Sequence, residues 1–345
     1  MPLTRNVTAS IALVAIVGLL LAPSAGAVST VSLTPGSLRT YPISTAYVTG
    51  VSSGGYMASQ LHVAYSGTFK GAAIVAAGPY YCAQDSLIQA LLACTNTIGS
   101  DQLSTLETDA STWSGQGLID PIGNLSGQPV WVFHGTNDTT VRTSLTNDLV
   151  AFYQHFGANV TYNHTAPAGH AWISPYGPNP CTVTRSPYLN NCGTDPEREF
   201  LGVLLGTNIT DPNTGQLSGQ LIQFSQDAYA PRSQASSVSM AGTGYVYVPA
   251  ACAAGSPCRL LVALHGCLQS ASNIQLAFVN DANLNQYADT NDLVVLYPQA
   301  APASLSNPNA CWDWWGYLGA SDTNYAQHGG AQLETIMRMV HALGR

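Results

Sequence analysis

Charge is scarce in this chain of 345 residues. Only 8% of the residues are Asp, Glu, Lys or Arg, against about 25% in typical soluble domains. The formal net charge is −8 and no basic cluster occurs, which argues against a nucleic-acid partner. Low charge with 17 Tyr and 6 Trp suits adsorption to a neutral surface. Glycans explain the charge deficit equally well, since N-x-S/T sequons lie at Asn124, Asn137, Asn159, Asn163 and Asn208.

Long apolar runs are also scarce. The run at 11–21 follows Arg5 and precedes the small residues 25–27, a pattern typical of a secretory signal peptide cleaved after Ala27. The run is too short to span a bilayer, and no other long apolar run follows. We therefore expect an extracellular protein with no membrane association. No linker, repeat or change of composition divides residues 28–345, so we expect one monomeric domain.

Metal-binding cysteine spacing is absent. No C-x-x-C occurs, and the eight histidines show no ligand spacing beside the cysteines, so neither a metal nor a cofactor is expected. Eight cysteines in a secreted chain favour disulfides instead. Their number does not fix the connectivity. Sequence proximity favours Cys252–Cys258 and Cys181–Cys192, which leaves Cys82–Cys94 and Cys267–Cys311.

Predicted strands and helices alternate along the chain, which favours a mostly parallel sheet with helices on both faces. Residues 172–235 are rich in Pro, Gly, Asn and Ser and are expected to form an irregular connection with one short helix near 197–205. The other predicted helices end near residue 66 or cover 143–157 and 332–343. The predicted strands are 44–49, 70–81, 128–135, 158–165, 244–249, 259–266 and 292–298.

A possible nucleophile lies early in the chain. The sequence GVSSG at 50–54 matches G-x-S-x-G around Ser52. Alone the motif is weak, because a chain with 32 glycines can produce it by chance. Here a predicted strand precedes it and a helix follows, as in a nucleophile elbow. The N–H of Ser53 and the N-terminus of the helix would then favour a developing oxyanion.

An acid and a base follow in the chain order Ser, Asp, His that such elbows require. Asp138 follows the strand VWVFHG and His170 follows the strand at 158–165. Asp138 could instead only cap its turn, and His170 could be an ordinary surface residue or a core residue with its hydrogen bonds satisfied. Because parallel strands end at the same sheet edge, we expect Ser52 as nucleophile, His170 as general base and Asp138 as its orienting carboxylate. His134 and His265 both precede glycine at strand ends and are expected to orient loops.

The loop that supplies the second oxyanion donor normally precedes the nucleophile, but little chain precedes Ser52. The segment RLLVALHGCLQ at 259–269 has the expected character, so we predict the N–H of Cys267 as that donor; the alternative is an ordinary turn. The last helix stops at the chain end, and the elbow strand lacks its preceding helix. Joining Arg345 to the region of Leu38 would restore βαβ order, which indicates a circular permutation.

Several segments together resemble extracellular poly(3-hydroxybutyrate) depolymerases and related esterases, namely GVSSGGYMASQL, GTNDTTV, GHAW, GYVYVPAAC, CRLLVALHGCLQS, VVLYPQ and NPNACWDWWGY. In most of that family the serine box comes last, so this chain is similar to the permuted, single-domain fungal type. The resemblance implies an α/β-hydrolase fold and hydrolysis of short-chain polyhydroxyalkanoate. It also implies Ser52, Asp138 and His170 as the triad, with the Cys267 amide in the oxyanion hole and a disulfide from Cys267 to Cys311.

Binding to solid polyester would rest on the catalytic domain, because no residues remain for a separate binding domain. The candidate surface is the aromatic run Trp312, Trp314, Trp315 and Tyr317, although core packing around Cys311 is the alternative and should bury at least one tryptophan. Two other functions stay open. One is a carbohydrate esterase acting on feruloyl or acetyl-xylan groups, and the other is a non-catalytic polymer-binding protein.

Overall fold

The computed structural model describes Met1 and residues 29–206, 209–303 and 305–345. The predicted signal peptide and the sequon at Asn208 fall outside these ranges, apart from Met1. No helix in the described ranges is long and apolar enough to cross a membrane.

A nine-stranded sheet forms the centre of the molecule. Its strands are β1 (Leu33–Pro35), β2 (Ile43–Val51), β3 (Phe69–Val75), β4 (Pro129–Phe133), β5 (Asn159–Asn163), β9 (Gln220–Ser225), β10 (Thr243–Val248), β11 (Cys258–Leu264) and β12 (Leu293–Tyr297). Their order in the sheet is β1-β9-β10-β12-β11-β2-β3-β4-β5. All neighbours pair in parallel except β10, which is antiparallel to both β9 and β12. A second sheet contains β6 (Trp172–Ile173), β7 (Asn179–Pro180) and β8 (Leu189–Asn191).

Helices cover the central sheet, and apolar clusters fill both of its faces. β12 is buried along its whole length and β11 nearly so, as expected for apolar strands in the middle of a covered parallel sheet. The α-helices are α1 (Ser53–Ala64), α2 (Leu87–Leu92), α3 (Gly99–Gly115), α4 (Thr143–His155), α5 (Pro196–Leu205), α6 (Ala250–Ala253), α7 (Ala271–Ile274), α8 (Ala277–Asp281), α9 (Leu284–Thr290) and α10 (Ala331–Ala342). The 3₁₀ helices are Ile122–Leu125, Asp227–Tyr229, Pro231–Ser233, Ala235–Val238 and Gly319–Ser321.

Two sequence expectations about strands were wrong. The strand predicted over 70–81 ends at Val75, because Ala76 adopts a positive φ of 50° that takes the backbone out of the sheet. The segment 172–235 is not irregular throughout, since it contains β6 to β9. β9 pairs with β10 over six residues and therefore belongs to the central sheet.

The beginning and the end of the fold meet. The N–H of Tyr41 donates a hydrogen bond of 2.9 Å to the carbonyl oxygen of Leu343, just after α10 and just before β2. A helix followed by a strand in this arrangement is the βαβ order that the predicted circular permutation requires. The four disulfides join the pairs favoured by the sequence, Cys82–Cys94, Cys181–Cys192, Cys252–Cys258 and Cys267–Cys311.

Candidate active site

Ser52 occupies a sharp turn between β2 and α1. Its φ of 57° and ψ of −123° are unusual for a residue with a side chain and mark local strain. The glycines around it allow close backbone approach: a Cβ atom on Gly50 would lie 2.2 Å from the oxygen of Gly54, and one on Gly54 would lie 2.3 Å from the oxygen of Leu264. The turn therefore has the geometry of a nucleophile elbow.

Asp138 and His170 form a buried pair beside this turn. Oδ2 of Asp138 lies 2.7 Å from Nδ1 of His170, and Oδ1 accepts hydrogen bonds from the N–H groups of Thr140 and Val141 at 2.8 and 3.0 Å. A carboxylate can only accept, so Nδ1 of His170 carries the proton and Nε2 is left as the basic nitrogen. Asp138 thus caps its turn and also orients the histidine.

The loop that carries His170 packs tightly against the disulfide-closed segment 181–192. The N–H of His170 donates to Oγ1 of Thr184 at 2.8 Å. A Cβ atom on Gly169 would lie only 2.4 Å from the carbonyl oxygen of Val183. Glycine is therefore required before His170 because another backbone segment approaches it, and not because of an unusual φ.

Ser52 and His170 line one cavity of about 230 Å³, together with Gly266 and Cys267. Within the described residues no hydrogen bond joins the two side chains. Such bonds are often long in ligand-free enzymes and shorten when substrate binds. The structure brings all three predicted triad residues to the carboxyl edge of the sheet.

The loop after β11 lies directly against Ser52. A Cβ atom on Gly266 would be 3.3 Å from Cβ of Ser52, although more than two hundred residues separate them in the chain. In the part of the chain that the structure describes, the N–H groups of Ser53 and Cys267 donate no hydrogen bond to a protein acceptor. Free N–H groups beside a nucleophile are what an oxyanion hole requires.

Comparisons with known proteins agree with this geometry, although no family model matches the chain. The chain is 39% identical over 311 residues to a polyhydroxybutyrate depolymerase of Talaromyces funiculosus, covering 85% of this chain and 87% of that protein. The chain belongs to the polyhydroxybutyrate depolymerase family. It is also 41% identical over 298 residues to the poly(3-hydroxybutyrate) depolymerase of Delftia acidovorans, but spans only 58% of the length of that protein.

Solved structures of this depolymerase family have the same fold. One is the PHB depolymerase of Penicillium funiculosum, and another is a serine-to-alanine variant of a PHB depolymerase complexed with an R3HB trimer. Each superposes with a TM-score of 0.81 at 37% identity, covering 89% of this chain and 98% of the known one. The resemblance and the α/β-hydrolase fold expected from the sequence are thereby confirmed.

A larger cavity of about 470 Å³ also adjoins the elbow at Ser52. Ser52, Thr140 and Cys267 line both cavities, so they form the junction of one cleft with two arms. The wall of the larger arm is mostly apolar and includes Tyr56, Leu87, Leu91, Leu305, Trp314 and Trp315.

The structure places two of the four residues of the predicted aromatic surface in the cleft. Trp314 and Trp315 line the larger arm, and Trp314 stacks on Tyr56 with ring centroids 4.0 Å apart. Trp312 is fully buried and its Nε1–H donates to the carbonyl oxygen of His265 at 2.9 Å, so it is a core residue that substrate cannot reach. Tyr317 does not line the cleft, and its hydroxyl donates to the carbonyl oxygen of Cys311 at 3.0 Å.

Sequence reasoning missed a group of exposed aliphatic residues, three of which line the larger arm of the cleft. Four side chains of α2 are between 52% and 71% exposed, and Leu305 is 98% exposed. The run LIQALL at 87–92 was the available signal, since a short helix with so many exposed aliphatics is unusual on a soluble protein. Among the described residues no group of three or more His, Cys, Asp or Glu could hold a metal ion.

Proposed function

We propose that this chain is a secreted serine esterase that hydrolyses poly(3-hydroxybutyrate), or a related short-chain polyhydroxyalkanoate, to soluble oligomers or monomer. The observation that carries the proposal is the position of Ser52, at a strained elbow between a carboxylate-oriented histidine and a free N–H on the facing loop. The activity named for the fungal relative supports the choice of substrate, because this chain spans most of that relative.

The proposed mechanism passes through an acyl-enzyme. Oγ of Ser52 attacks the ester carbonyl carbon while Nε2 of His170 takes the hydroxyl proton, and Asp138 stabilises the resulting imidazolium. The N–H groups of Ser53 and Cys267 stabilise the oxyanion. His170 then gives the proton to the departing alkoxide, and water repeats the cycle at the acyl carbon. No metal or cofactor enters these steps, so a chelator should leave the rate unchanged.

The two arms of the cleft would hold the two sides of the scissile ester. His170 lines only the smaller arm, and the leaving alcohol must receive its proton from His170. We therefore assign the alcohol side of the polyester to the smaller arm and the acyl side to the larger one. A mostly apolar wall suits a chain of methyl-bearing ester repeats.

We also propose that residues 28–345 form a single catalytic domain that adsorbs to the solid polymer itself. The continuous sheet and its shared cores support one domain. Leu87, Leu91 and Leu305 line the larger arm, and the two other exposed aliphatics of α2 belong to the same short helix. Together these side chains would contact the neutral polyester surface. Secretion after removal of residues 1–27 is supported by four disulfides, which persist in oxidising compartments.

The experiment that tests the proposal combines a polyester film with a panel of soluble esters. We expect release of 3-hydroxybutyrate products from the film, no release of ferulate or of acetate from xylan, and stoichiometric labelling of Ser52 by an organophosphate. A folded Ser52→Ala variant should be inactive and unlabelled. Release of ferulate or acetate without film hydrolysis would favour a carbohydrate esterase. Film binding without labelling or turnover would indicate a polymer-binding protein.

A further inference from the structure

One peptide unit in the loop after β11 carries the second proposed oxyanion donor. The carbonyl of Gly266 and the N–H of Cys267 belong to the same planar group and point in opposite directions. Whatever fixes the direction of the Gly266 carbonyl therefore fixes the direction of the Cys267 N–H. Cys267 lines both arms of the cleft, so this N–H lies at the junction where the ester must react.

A buried histidine holds that carbonyl. Nδ1 of His265 lies 2.7 Å from the carbonyl oxygen of Gly266, and Nε2 accepts a hydrogen bond of 3.1 Å from the N–H of Ala300. A backbone N–H can only donate, so Nε2 is unprotonated and Nδ1–H is the donor to Gly266. Burial lowers the pKa of His265 to about 4, which keeps the ring in this neutral form at neutral pH. The ring lines neither arm of the cleft.

A buried glutamine holds the other side of the same glycine. Oε1 of Gln269 accepts the N–H of Gly266 at 2.8 Å, while Nε2 donates to the carbonyl oxygens of Pro187 and Tyr188 at 3.2 and 3.0 Å. Both polar groups of Gly266 are thus fixed by side chains. Gln269 also connects this loop to the segment that packs against the histidine of the triad.

We propose that His265 and Gln269 are positioning residues that aim the Cys267 N–H at the reacting carbonyl oxygen. The inference rests on the proposed function, because it needs Cys267 to act as an oxyanion donor. A hydrogen bond from His265 to the Gly266 carbonyl also polarises the peptide and strengthens the opposite N–H as a donor. Their contribution is to the transition state and not to substrate binding, since the oxyanion develops only during reaction.

Two substitutions of His265 separate its proposed effect on the direction of the Cys267 N–H from its effect on core packing. The amide nitrogen of Asn lies near the position of Nδ1, so His265→Asn can still donate to Gly266. The amide of Gln lies near Nε2, so His265→Gln can accept from Ala300 but loses the bond to Gly266. With a soluble ester we expect His265→Gln to lower kcat about 10- to 100-fold at nearly unchanged KM, and His265→Asn to stay within about threefold of wild type.

A transition-state analogue gives the second readout. The adduct of a trifluoromethyl ketone with Ser52 carries an oxyanion, so its inhibition constant should rise in His265→Gln by the same factor by which kcat/KM falls. His62→Gln is the matched control, because His62 is also fully buried and hydrogen-bonds Gln128 and Tyr153 away from the cleft. It should lower thermal stability and leave kcat unchanged.

Equal losses of kcat in the Asn and Gln variants, or unchanged kcat in a folded His265→Gln, would overturn the inference. If His265→Gln does not fold, Gln269→Met supplies the test. It removes the acceptor of the Gly266 N–H and should lower kcat at least about tenfold. Because Gln269 also lines the smaller arm, the readout is kcat and not KM, and an unchanged kcat would refute the aiming role. Wild-type protein without esterase activity, or an active Ser52→Ala variant, would instead refute the proposed function.

Discussion

Asp138 divides its two carboxylate oxygens between two tasks. One oxygen holds the turn through the N–H groups of Thr140 and Val141, and the other accepts from Nδ1 of His170. Asparagine has one carbonyl oxygen, so Asp138→Asn can keep only one of these tasks. If that oxygen remains on the turn, the amide NH₂ faces His170 and forces its proton onto Nε2. The imidazole could then no longer accept the proton of Ser52.

We therefore expect Asp138→Asn to lower kcat about 10⁴-fold with little loss of thermal stability, measured on a soluble ester and by thermal unfolding. Asp120→Asn is the matched control. Asp120 also combines a backbone bond, from the N–H of Gly67, with a histidine contact, to His328 at 3.3 Å, but it lies away from the cleft. It should leave kcat unchanged. A rate of Asp138→Asn within about tenfold of wild type would contradict the assigned role.

The proximity of Ser52, Asp138 and His170 could be predicted because each follows a strand, and parallel strands end at one edge. The hydrogen bonds of Gln269 could not be predicted, since its partners at 187 and 188 are distant in sequence and come close only through the loop conformation. The complete burial of Trp312 could not be predicted either. A run of four aromatic residues in a loop has no periodicity that says which ring turns inwards, and Trp312 packs on His265 with centroids 5.2 Å apart.

At the scale of the elements, the contact between α1 and the end of β11 leaves no room for a side chain at Gly54. A Cβ atom there would lie 2.3 and 2.4 Å from the carbonyl oxygens of Leu264 and His265, and backbone atoms of a central strand cannot move away cheaply. We expect Gly54→Ala to lower the free energy of unfolding by about 3 kcal/mol and to displace the proposed oxyanion loop. Urea unfolding and kcat measure the two effects.

The control for that substitution is Gly115→Ala, near the end of α3, where a Cβ atom would meet nothing within 4 Å. Alanine favours the helix there, so stability should rise by up to about 1 kcal/mol. If Gly54→Ala were as harmless as Gly115→Ala, close packing of the elbow against β11 would be refuted.

Helix α2 should matter for the solid polymer and not for soluble esters. Ile88 and Leu92 are 71% and 69% exposed and do not line the cleft. We expect Ile88→Ser combined with Leu92→Ser to weaken adsorption to a polyester film by about tenfold or more, because each loses about 1 to 2 kcal/mol of apolar contact. Depletion assays measure adsorption, and turnover of a soluble ester should not change. Leu118→Ser, at a partly exposed leucine elsewhere, should leave adsorption intact; equal losses would contradict a specific surface.

The elements themselves show where sequence patterns fail. The strands β11 and β12 are continuous apolar runs and were predicted within two residues. β9 was missed because only Leu221 and Phe224 of QLIQFS are buried, and because Gly and Ser surround it. Its place in the sheet is set by pairing with β1 and β10, which is information from tertiary structure.

At the scale of the whole molecule, the permutation could be predicted because it depends on the order of segments along the chain: the loop of the second oxyanion donor was expected after the nucleophile instead of before it. The contact of Tyr41 with Leu343 supplies the missing connection through space. The distances within the cleft could not be predicted, because they depend on how the loops after β4, β5 and β11 pack on one another.

The molecule also buries ionisable groups whose titrations change its stability in opposite directions as pH falls. Burial lowers the pKa of His62 and of His265 to about 4, so the folded chain binds fewer protons than the unfolded chain between pH 6.5 and 4, and stability falls as pH falls through this window. Burial raises the pKa of Asp313 to about 7. That carboxyl has the opposite effect, because the folded chain then binds the extra proton and its stabilisation is lost as pH rises towards 7.

Two variants should separate the contributions of His62 and Asp313 to the pH dependence of stability. Relative to wild type, His62→Gln should gain stability as pH falls from 6.5 to 4, by up to about 3 kcal/mol, because it removes a group that resists protonation in the folded chain. Asp313→Asn should lose stability relative to wild type over the range from pH 7 to 4, since it removes a proton site that folding strengthens. Urea unfolding at several pH values measures both slopes, and differences from wild type cancel the other titrating groups. If the free energy of unfolding of the two variants changed with pH in the same way, burial would not control these protonations.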